Sequence, residues 1–173
     1  MIIVALGGLG FLLYLYSSKN TSVSQNNNPV TIYSPSGGWV SEDSREYKNL
    51  LLHFSLIYPK DLIVKEYDDG TSASTITFED ATGEKSFQIF VVPYQGNQIT
   101  EEQFKKDVPS GVMKEPVDIM IDDIRATMFF STNTVLGETR EVWFIRGGFL
   151  YEITTYAGLD SWLAQILSTW RFN

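Results

Sequence analysis

The residue types that most often carry out hydrolysis are scarce in this sequence. His53 is the only histidine, and cysteine is absent. A Ser–His–Asp triad would have to use His53, but no G-x-S-x-G motif is present to place a nucleophilic serine. Metal sites built on thiolates are excluded outright. His53 begins a predicted strand, and we expect a structural or surface role for it rather than a catalytic one.

Carboxylates are the remaining groups with potential for chemistry, and they occur as adjacent pairs. The pairs are Asp68-Asp69, Glu79-Asp80, Glu101-Glu102 and Asp122-Asp123. Turn and helix-start preferences account for all four, and no stretch has the spacing of a calcium-binding loop. We therefore expect no cofactor and no catalytic residue. Two alternatives stay open: weak Ca²⁺ binding where two turns meet, and hydrolysis by two carboxylates across a cleft.

Aromatic side chains offer a second kind of site. Trp39, Tyr94, Trp143 and Tyr156 are candidates for a surface that stacks on a ligand or a protein partner. The competing interpretation places most aromatic residues in the core, with Trp143 beneath a helix. Trp39 stands apart because it follows a Ser-Gly-Gly stretch that has no obvious core partner.

Alternating apolar residues predict antiparallel strands that would position these groups. HFSLIYP and STITFED are each predicted to form a strand. SFQIFVVPY is apolar on both faces, which predicts a central strand covered on both sides. VDIMI and IRATMFFS are predicted strands around Asp122-Asp123, whereas the acidic stretch SEDSRE (41–46) is predicted to be a turn.

The strongest local prediction is the hairpin TREVWFIR-GG-FLYEITTY. Gly147 and Gly148 suit a two-residue turn that needs positive φ at both positions. Such a turn pairs Ile145 with Leu150 and fixes the register of the whole hairpin. The side chains then predicted to face the core are Val142, Phe144, Tyr151 and Ile153. Trp143, Ile145 and Leu150 point to the other face and need cover as well.

Two helices are predicted. Thr100-Glu-Glu-Gln103 is a capping box that begins a short helix, which ends before Pro109 and Gly111. DSWLAQILSTW is predicted as a second helix with Asp160 as its N-cap. Its apolar stripe would pack across the sheet. The predicted fold class is therefore α+β, with a central antiparallel sheet flanked by helices.

The start of the sequence predicts a membrane anchor. Residues 2–16 carry no charge, and the uncharged run reaches residue 18, which is just about long enough to span a bilayer as a helix. The predicted organisation is a transmembrane helix at 1–18, a flexible Ser/Asn/Pro linker at 19–38 and an extracytoplasmic α+β domain at 39–173. A basic n-region and an A-x-A-like cleavage site are missing, so we expect an uncleaved single-pass anchor. A cleaved signal and a buried soluble helix are the alternatives.

The order of the motifs resembles the PsbP-like family. The similar stretches are F-S-L-I-Y-P (54–59), T-I-T-F-E-D, F-Q-I-F-V-V, the hairpin E-V-W-F-I…L-Y-E-I-T and the terminal I-L-S-T-W-R-F (166–172). That family takes its name from an extrinsic subunit of the photosynthetic oxygen-evolving complex and has membrane-anchored bacterial relatives. The resemblance implies an α/β/α sandwich around an antiparallel sheet. It implies no catalytic residues, because the family shares no catalytic motif.

Charge and motifs together set the functional expectation. The formal net charge of −8 makes nucleic acid an unsuitable partner, because phosphate binding needs clustered Lys and Arg. We expect a membrane-tethered, non-enzymatic binding or assembly domain with a protein partner in the cell envelope. An envelope hydrolase and a carrier of a small ligand or lipid are the alternatives.

Overall fold

The computed structural model describes residues 42–68, 70, 72–109, 111–133 and 136–173. The predicted transmembrane helix at 1–18, the linker at 19–38 and Trp39 lie outside the described residues. Among the described residues, no helix has the length and apolar character needed to cross a membrane.

Ten strands in the described part of the chain form two antiparallel sheets. In chain order they are β1 Ser44–Asn49, β2 Phe54–Pro59, β3 Ile63–Asp68, β4 Ser74–Glu79, β5 Ser86–Pro93, β6 Lys114–Ile121, β7 Ile124–Asn133, β8 Gly137–Arg146, β9 Phe149–Tyr156 and β10 Arg171–Phe172. The small sheet has the order β1-β2-β10, and the large sheet has the order β3-β4-β5-β9-β8-β7-β6. The last strand therefore pairs with the second one and closes the small sheet.

Two short helices accompany the sheets. Helix α1 spans Glu101–Asp107, and helix α2 spans Asp160–Ser168 after a 3₁₀ turn at Ala157–Leu159. The predicted capping box is confirmed in its main bond, because the Gln103 amide donates to Thr100 Oγ1 at 3.1 Å. Phe104 is the buried residue of α1.

The predicted fold class is wrong, because the structure is mostly β-sheet. Strands make up 55% of the described residues and helices 15%. One face of the large sheet is covered by the small sheet together with α2. The other face carries, among the described residues, the seven-residue α1. The prediction of a turn at SEDSRE is also wrong, because its last three residues begin β1. The side chains of β1 are mostly exposed and polar and show no apolar alternation that would indicate a strand.

The main core lies between the large sheet and the small sheet with α2, and its centre is aromatic. Trp170 stacks on Phe54 of the small sheet, with ring centroids 4.3 Å apart. Trp170 also forms T-shaped pairs with Phe144 at 5.6 Å and with Tyr151 at 6.3 Å. These four rings join β2, β8, β9 and the end of the chain. Because aromatic pairs of this geometry add to the burial term, the cluster fixes the two sheets against each other.

The hairpin prediction is confirmed in its register. Ile145 pairs with Leu150, Phe144 with Tyr151 and Val142 with Ile153. Gly147 and Gly148 have φ values of 61° and 83°, which residues with a side chain rarely adopt. The predicted core side is also confirmed, since those side chains belong to the main core.

Asp160 has a different role from the predicted N-cap. The N-cap position belongs to Leu159, and the Asp160 carboxylate instead accepts a hydrogen bond from Arg140 Nε on β8. The Arg140 guanidinium also lies 3.4 Å from the centroid of the Phe130 ring. Both charged residues are buried, at 3% and 8% exposure. This ion pair therefore ties the first turn of α2 to the large sheet.

Breaking this buried pair should strongly destabilise the fold. We expect Asp160→Asn to lower the free energy of unfolding by about 3–5 kcal/mol, because it leaves the Arg140 charge buried without a counter-charge. Guanidinium unfolding of the full chain, followed by circular dichroism, measures the change.

The exposed ion pair between Arg125 and Asp118, 2.6 Å apart, supplies the matched control. Asp118→Asn should change the free energy of unfolding by less than about 1 kcal/mol. Equal losses in the two variants would show that the Arg140–Asp160 pair has no special role.

Candidate functional site

The three aromatic candidates within the described residues do not form one exposed surface. Trp143 has no exposed area and packs in a second, smaller core with Phe104 and Phe129. Tyr94 and Tyr156 are half-buried and lie near opposite ends of β9. The Tyr94 hydroxyl donates to the Gln98 carbonyl at 2.9 Å. Trp39 lies outside the described residues, and a partner-binding role for these residues stays a prediction.

Asp80, which belongs to one of the acidic pairs, is engaged in local hydrogen bonds. Asp80 accepts bonds from the Thr82 hydroxyl and from the amides of Thr82, Glu84 and Lys85, at 2.9–3.2 Å. Burial raises the pKa of Asp80, but these bonds together outweigh it and hold the pKa below its usual value. Within the described ranges, no three His, Asp or Glu side chains are grouped so that they could hold a metal ion.

Two further acids, which were not among the predicted candidates, are buried on the α1 face of the large sheet. Glu141 on β8 is 4% exposed and Glu152 on β9 is 7% exposed. They occupy diagonal positions on neighbouring strands, because Glu141 pairs with Thr154 and Glu152 with Trp143. Their signal in the sequence is one acidic residue in each of TREVWFIR and FLYEITTY, two strands whose faces were both predicted to need cover.

Glu141 is well supplied with hydrogen-bond donors. It accepts bonds from Thr139 Oγ1 at 2.7 Å, Thr154 Oγ1 at 2.6 Å and Trp143 Nε1 at 3.4 Å. Burial nevertheless raises the pKa of Glu141 to about 7, because it outweighs the lowering by these three donors. Glu141 therefore titrates near neutral pH.

Glu152 has fewer partners. Burial raises its pKa well above the usual value, and the charge and hydrogen bond of Asp107 at the end of α1 add to the rise, as does the charge of Glu141. Its Oε1 atom is buried without a hydrogen-bond partner among the described residues. Glu141, Glu152 and Asp107, hereafter the acid cluster, are therefore three neighbouring carboxyl groups between α1 and the sheet.

The acid cluster does not resemble an open glycosidase site. Such enzymes place two carboxyl groups across a cleft that admits the sugar, whereas Glu141 and Glu152 are both more than nine-tenths buried. The chemistry available to these buried acids is the uptake and release of protons.

The most exposed apolar side chains in the described structure stand at the turn between β1 and β2. Leu50 and Leu51 are 81% and 86% exposed. Asn49 fixes the turn, because its Oδ1 accepts hydrogen bonds from the amides of Leu51 at 3.1 Å and Leu52 at 2.8 Å. His53 then reverses the chain with φ of 53°. Residues 49–53, hereafter the leucine tip, are thus a defined turn that presents two leucines to solvent.

The end of the chain and an acidic turn lie beside the leucine tip. The amide of Asn173 donates to the His53 carbonyl at 2.9 Å, and the preceding amide, of Phe172, donates to Asp122 Oδ2 at 2.7 Å. Asp122 and Asp123 form the β6–β7 turn with φ values of 43° and 66°. The tip is therefore anchored at its base and flanked by carboxylates.

Glu141 should make the protein less stable as the pH rises towards neutrality. The pKa of Glu141 is about 7 in the native state and near 4.5 in the unfolded chain, so the native state binds the proton more tightly. The free energy of unfolding therefore falls between pH 4.5 and pH 7. At about 1.4 kcal/mol per pH unit, the expected loss is about 3 kcal/mol. Denaturant unfolding across this range should show a reduced slope in Glu141→Gln.

Glu138→Gln is the matched control, because Glu138 lies on the same strand with a side chain 48% exposed. This variant should keep the wild-type dependence on pH. A Glu141→Gln profile that runs parallel to wild type would contradict the assignment.

Comparison with known proteins supports the fold but assigns no function. No protein-family model matches the chain, and no curated protein sequence matches it. The structure is similar to a crystal structure of a protein of unknown function from Pseudomonas aeruginosa, with a TM-score of 0.40 at 18% identity, covering 73% of this chain and 94% of that one. That score is too low to support an argument.

A second solved structure is similar over nearly its whole length. It is the solution structure of cyanobacterial PsbP from Synechocystis sp. PCC 6803, with a TM-score of 0.58 at 11% identity, covering 81% of this chain and 98% of that one. At this identity the likeness concerns the fold alone. The described chain therefore has a PsbP-like fold.

Proposed function

We propose that this chain is a non-enzymatic binding domain that is held at a membrane and docks a protein partner through the leucine tip. The observation that carries the proposal is the exposure of Leu50 and Leu51, at 81% and 86%, on a turn whose backbone is fixed by Asn49. Turns are usually polar, and burying a leucine side chain stabilises by about 1.5–3 kcal/mol. Two adjacent leucines at a fixed turn therefore suit an apolar pocket on a partner.

Charge favours a protein over a lipid surface as the occupant of this site. Asp122 and Asp123 lie beside the tip, and the chain has a formal net charge of −8. Anionic membrane surfaces attract basic segments and repel acidic ones. A partner pocket with an apolar floor and a basic rim would complement both the leucines and the carboxylates.

The non-enzymatic part of the proposal rests on the placement of the acids and of His53. Glu141 and Glu152 are buried, and Asp80 and Asp122 accept bonds from backbone amides. The exposed His53 has φ of 53° and uses its carbonyl to hold the C-terminus. These groups therefore serve the folded structure.

Membrane attachment is the second part of the proposal, and the extracytoplasmic side is the proposed location of the domain. Residues 2–16 contain no charged side chain, and apolar side chains favour insertion by a few tenths of a kcal/mol each. The Ser- and Asn-rich stretch that follows would act as a flexible tether. This arrangement would hold the leucine tip close to partners in the same membrane.

Crosslinking in intact cells tests the docking role of the leucine tip. A photoreactive residue at Asp123, beside the tip, should give one adduct of defined mass with a protein partner. Leu50→Ser combined with Leu51→Ser should weaken binding about 100-fold, because about 3 kcal/mol of apolar burial is lost. The adduct should then disappear, while the free energy of unfolding changes by less than about 0.5 kcal/mol.

Two controls make this experiment specific. Met120→Ser changes an apolar side chain that is 64% exposed on β6, and this variant should keep the adduct. A photoreactive residue at Thr82, in the β4–β5 turn at the other end of the large sheet, should not form it. An adduct that survives the double serine substitution, an adduct of the chain with itself, or binding to lipid vesicles alone would each contradict the proposal.

Membrane attachment has a separate test. The full chain should stay with membranes after washing at moderate and high salt, because apolar insertion does not depend on screened charges. Deleting residues 2–16 should move the protein to the soluble fraction. Release of the full chain by salt would contradict attachment while leaving the docking role of the tip open to its own test.

A further inference from the structure

Strand β6 is a free edge of the large sheet. It is the last strand in the order of that sheet, and within the described ranges it pairs with β7 alone. Its side chains are exposed from Lys114 to Met120, except that Ile119 is half-buried. An edge strand presents backbone N–H and C=O groups that can pair with a strand of another chain. The large sheet can therefore be extended at β6.

The turn that follows β6 fixes the hydrogen-bond pattern of the edge. Asp122 and Asp123 both have positive φ, at 43° and 66°, as a two-residue type I′ turn requires. Ile121 and Ile124 pair across this turn. The residues that flank such a turn exchange both of their backbone hydrogen bonds, so the Ile121 N–H and C=O groups face β7.

Hydrogen-bonded and non-hydrogen-bonded pairs alternate along an antiparallel ladder from this point. Ile119 is again in a hydrogen-bonded pair, whereas Met120, opposite Arg125, and Asp118, opposite Thr127, are in non-hydrogen-bonded pairs. The N–H and C=O groups of Asp118 and Met120 therefore point away from β7. These two residues offer two donors and two acceptors to an added strand.

The beginning of β6 is closed to such pairing. The register shifts between Lys114 and Val117, and Glu115 has φ of 51° within this bulge. Pro116 has no N–H group to donate. Bulges and prolines are the devices that protect edge strands from unwanted pairing. The free part of the edge is thus limited to the residues from Val117 onward.

The free part of β6 ends beside the leucine tip. The turn residue Asp122 accepts a hydrogen bond from the Phe172 amide at 2.7 Å, and the next amide, of Asn173, donates to the His53 carbonyl at 2.9 Å. The β6–β7 turn and the leucine tip are therefore joined through the end of the chain. A partner that buries the leucine tip lies next to the free edge.

We propose that the partner of the leucine tip adds an extended, basic segment to β6 as an eighth strand of the large sheet. This inference rests on the proposed docking role of the tip and names the way in which the partner binds. The added segment pairs with the backbone groups of Asp118 and Met120. Main-chain bonds of this kind provide affinity in strand addition, and the leucines provide apolar burial next to it.

Charge favours a basic partner segment over a second copy of this chain. Four acids lie along the edge and its turn, namely Glu115, Asp118, Asp122 and Asp123. Asp118 is paired with Arg125 on β7, and the other three leave the edge acidic. Two copies joined edge to edge would bring these carboxylates together, and like charges across strands are destabilising. Lysine or arginine in the added segment complements them.

A proline at Met120 tests the backbone pairing. With the photoreactive residue at Asp123 in intact cells, Met120→Pro should lower the adduct yield about tenfold or more, because it removes the outward N–H and puts a ring in the path of the added strand. Met120→Ser loses the same side chain but keeps the N–H, so it should keep the adduct. Proline is tolerated where an edge N–H faces solvent, and circular dichroism checks that Met120→Pro is folded.

The position of the added strand has a second test that leaves the backbone of β6 intact. Photoreactive residues placed at Val117 and at Met120 should each form an adduct with the same partner. These two side chains are three positions apart and lie on opposite faces of the sheet, so only a segment that runs along the edge contacts both. A photoreactive residue at Ile63, which is 53% exposed on β3 at the opposite edge, should not form the adduct.

Neutralising one acid tests the charge of the partner segment. Asp123→Asn keeps a residue type that tolerates positive φ and should lower the yield of the Met120 adduct about threefold. Glu102→Gln makes the same change of charge on the exposed side of α1 and should leave the yield unchanged. Equal yields in the two variants would contradict a basic segment.

The outcomes separate this inference from the docking role of the tip. An Asp123 adduct that persists in folded Met120→Pro, or adducts at only one of Val117 and Met120, would overturn the added strand and leave the leucine tip as the binding site. An adduct that is insensitive to serine at both Leu50 and Leu51 would overturn the docking role and the added strand together. If Met120→Pro does not fold, the adducts at Val117 and Met120 decide.

Discussion

The packing of Trp170 between the two sheets is the contact on which the rest of the structure depends. Its ring stacks on Phe54 of the small sheet and forms T-shaped pairs with Phe144 and Tyr151 of the large sheet. Trp170 comes after α2 and directly before β10, so the same few residues end the helix, fill the core and add a strand to β2. Without that closure, β1 and β2 would be an isolated hairpin, which is marginal in water. The leucine tip exists because this hairpin is held down.

The two faces of the large sheet are stabilised by different means. The face towards the small sheet buries a large aromatic core and uses one ion pair, Arg140–Asp160, to attach α2. The opposite face has a small apolar cluster around Phe104 and the acid cluster beside it. Local opening takes place where few apolar contacts are lost. Local opening of this fold is therefore expected on the α1 face, where the apolar cluster is smaller.

The sequence predicts the parts of the fold that local chemistry determines. The Gly147-Gly148 turn requires positive φ and sets the hairpin register, and Thr100 with Gln103 begins α1, so both are correctly predicted. Strands β1 and β10 are not predicted. β1 is an exposed, polar edge strand without apolar alternation, and β10 has only two residues, too few for a pattern. Asp160 looks like an N-cap locally, but its partner Arg140 is twenty positions away. Propensity carries no information about such a distant contact.

The candidate site was missed for the same reason. Leu50-Leu51-Leu52 looks like the start of a buried strand, and only the bonds from Leu51 and Leu52 to Asn49 turn the first two leucines outward. The acids in the predicted hairpin, Glu141 and Glu152, carry a visible signal, because a charge within a covered strand is unfavourable without a role. What the sequence omits is Asp107, which reaches them from another element. A site made from three separate elements has no sequence motif, and physical reasoning finds it only when burial and pairing are known.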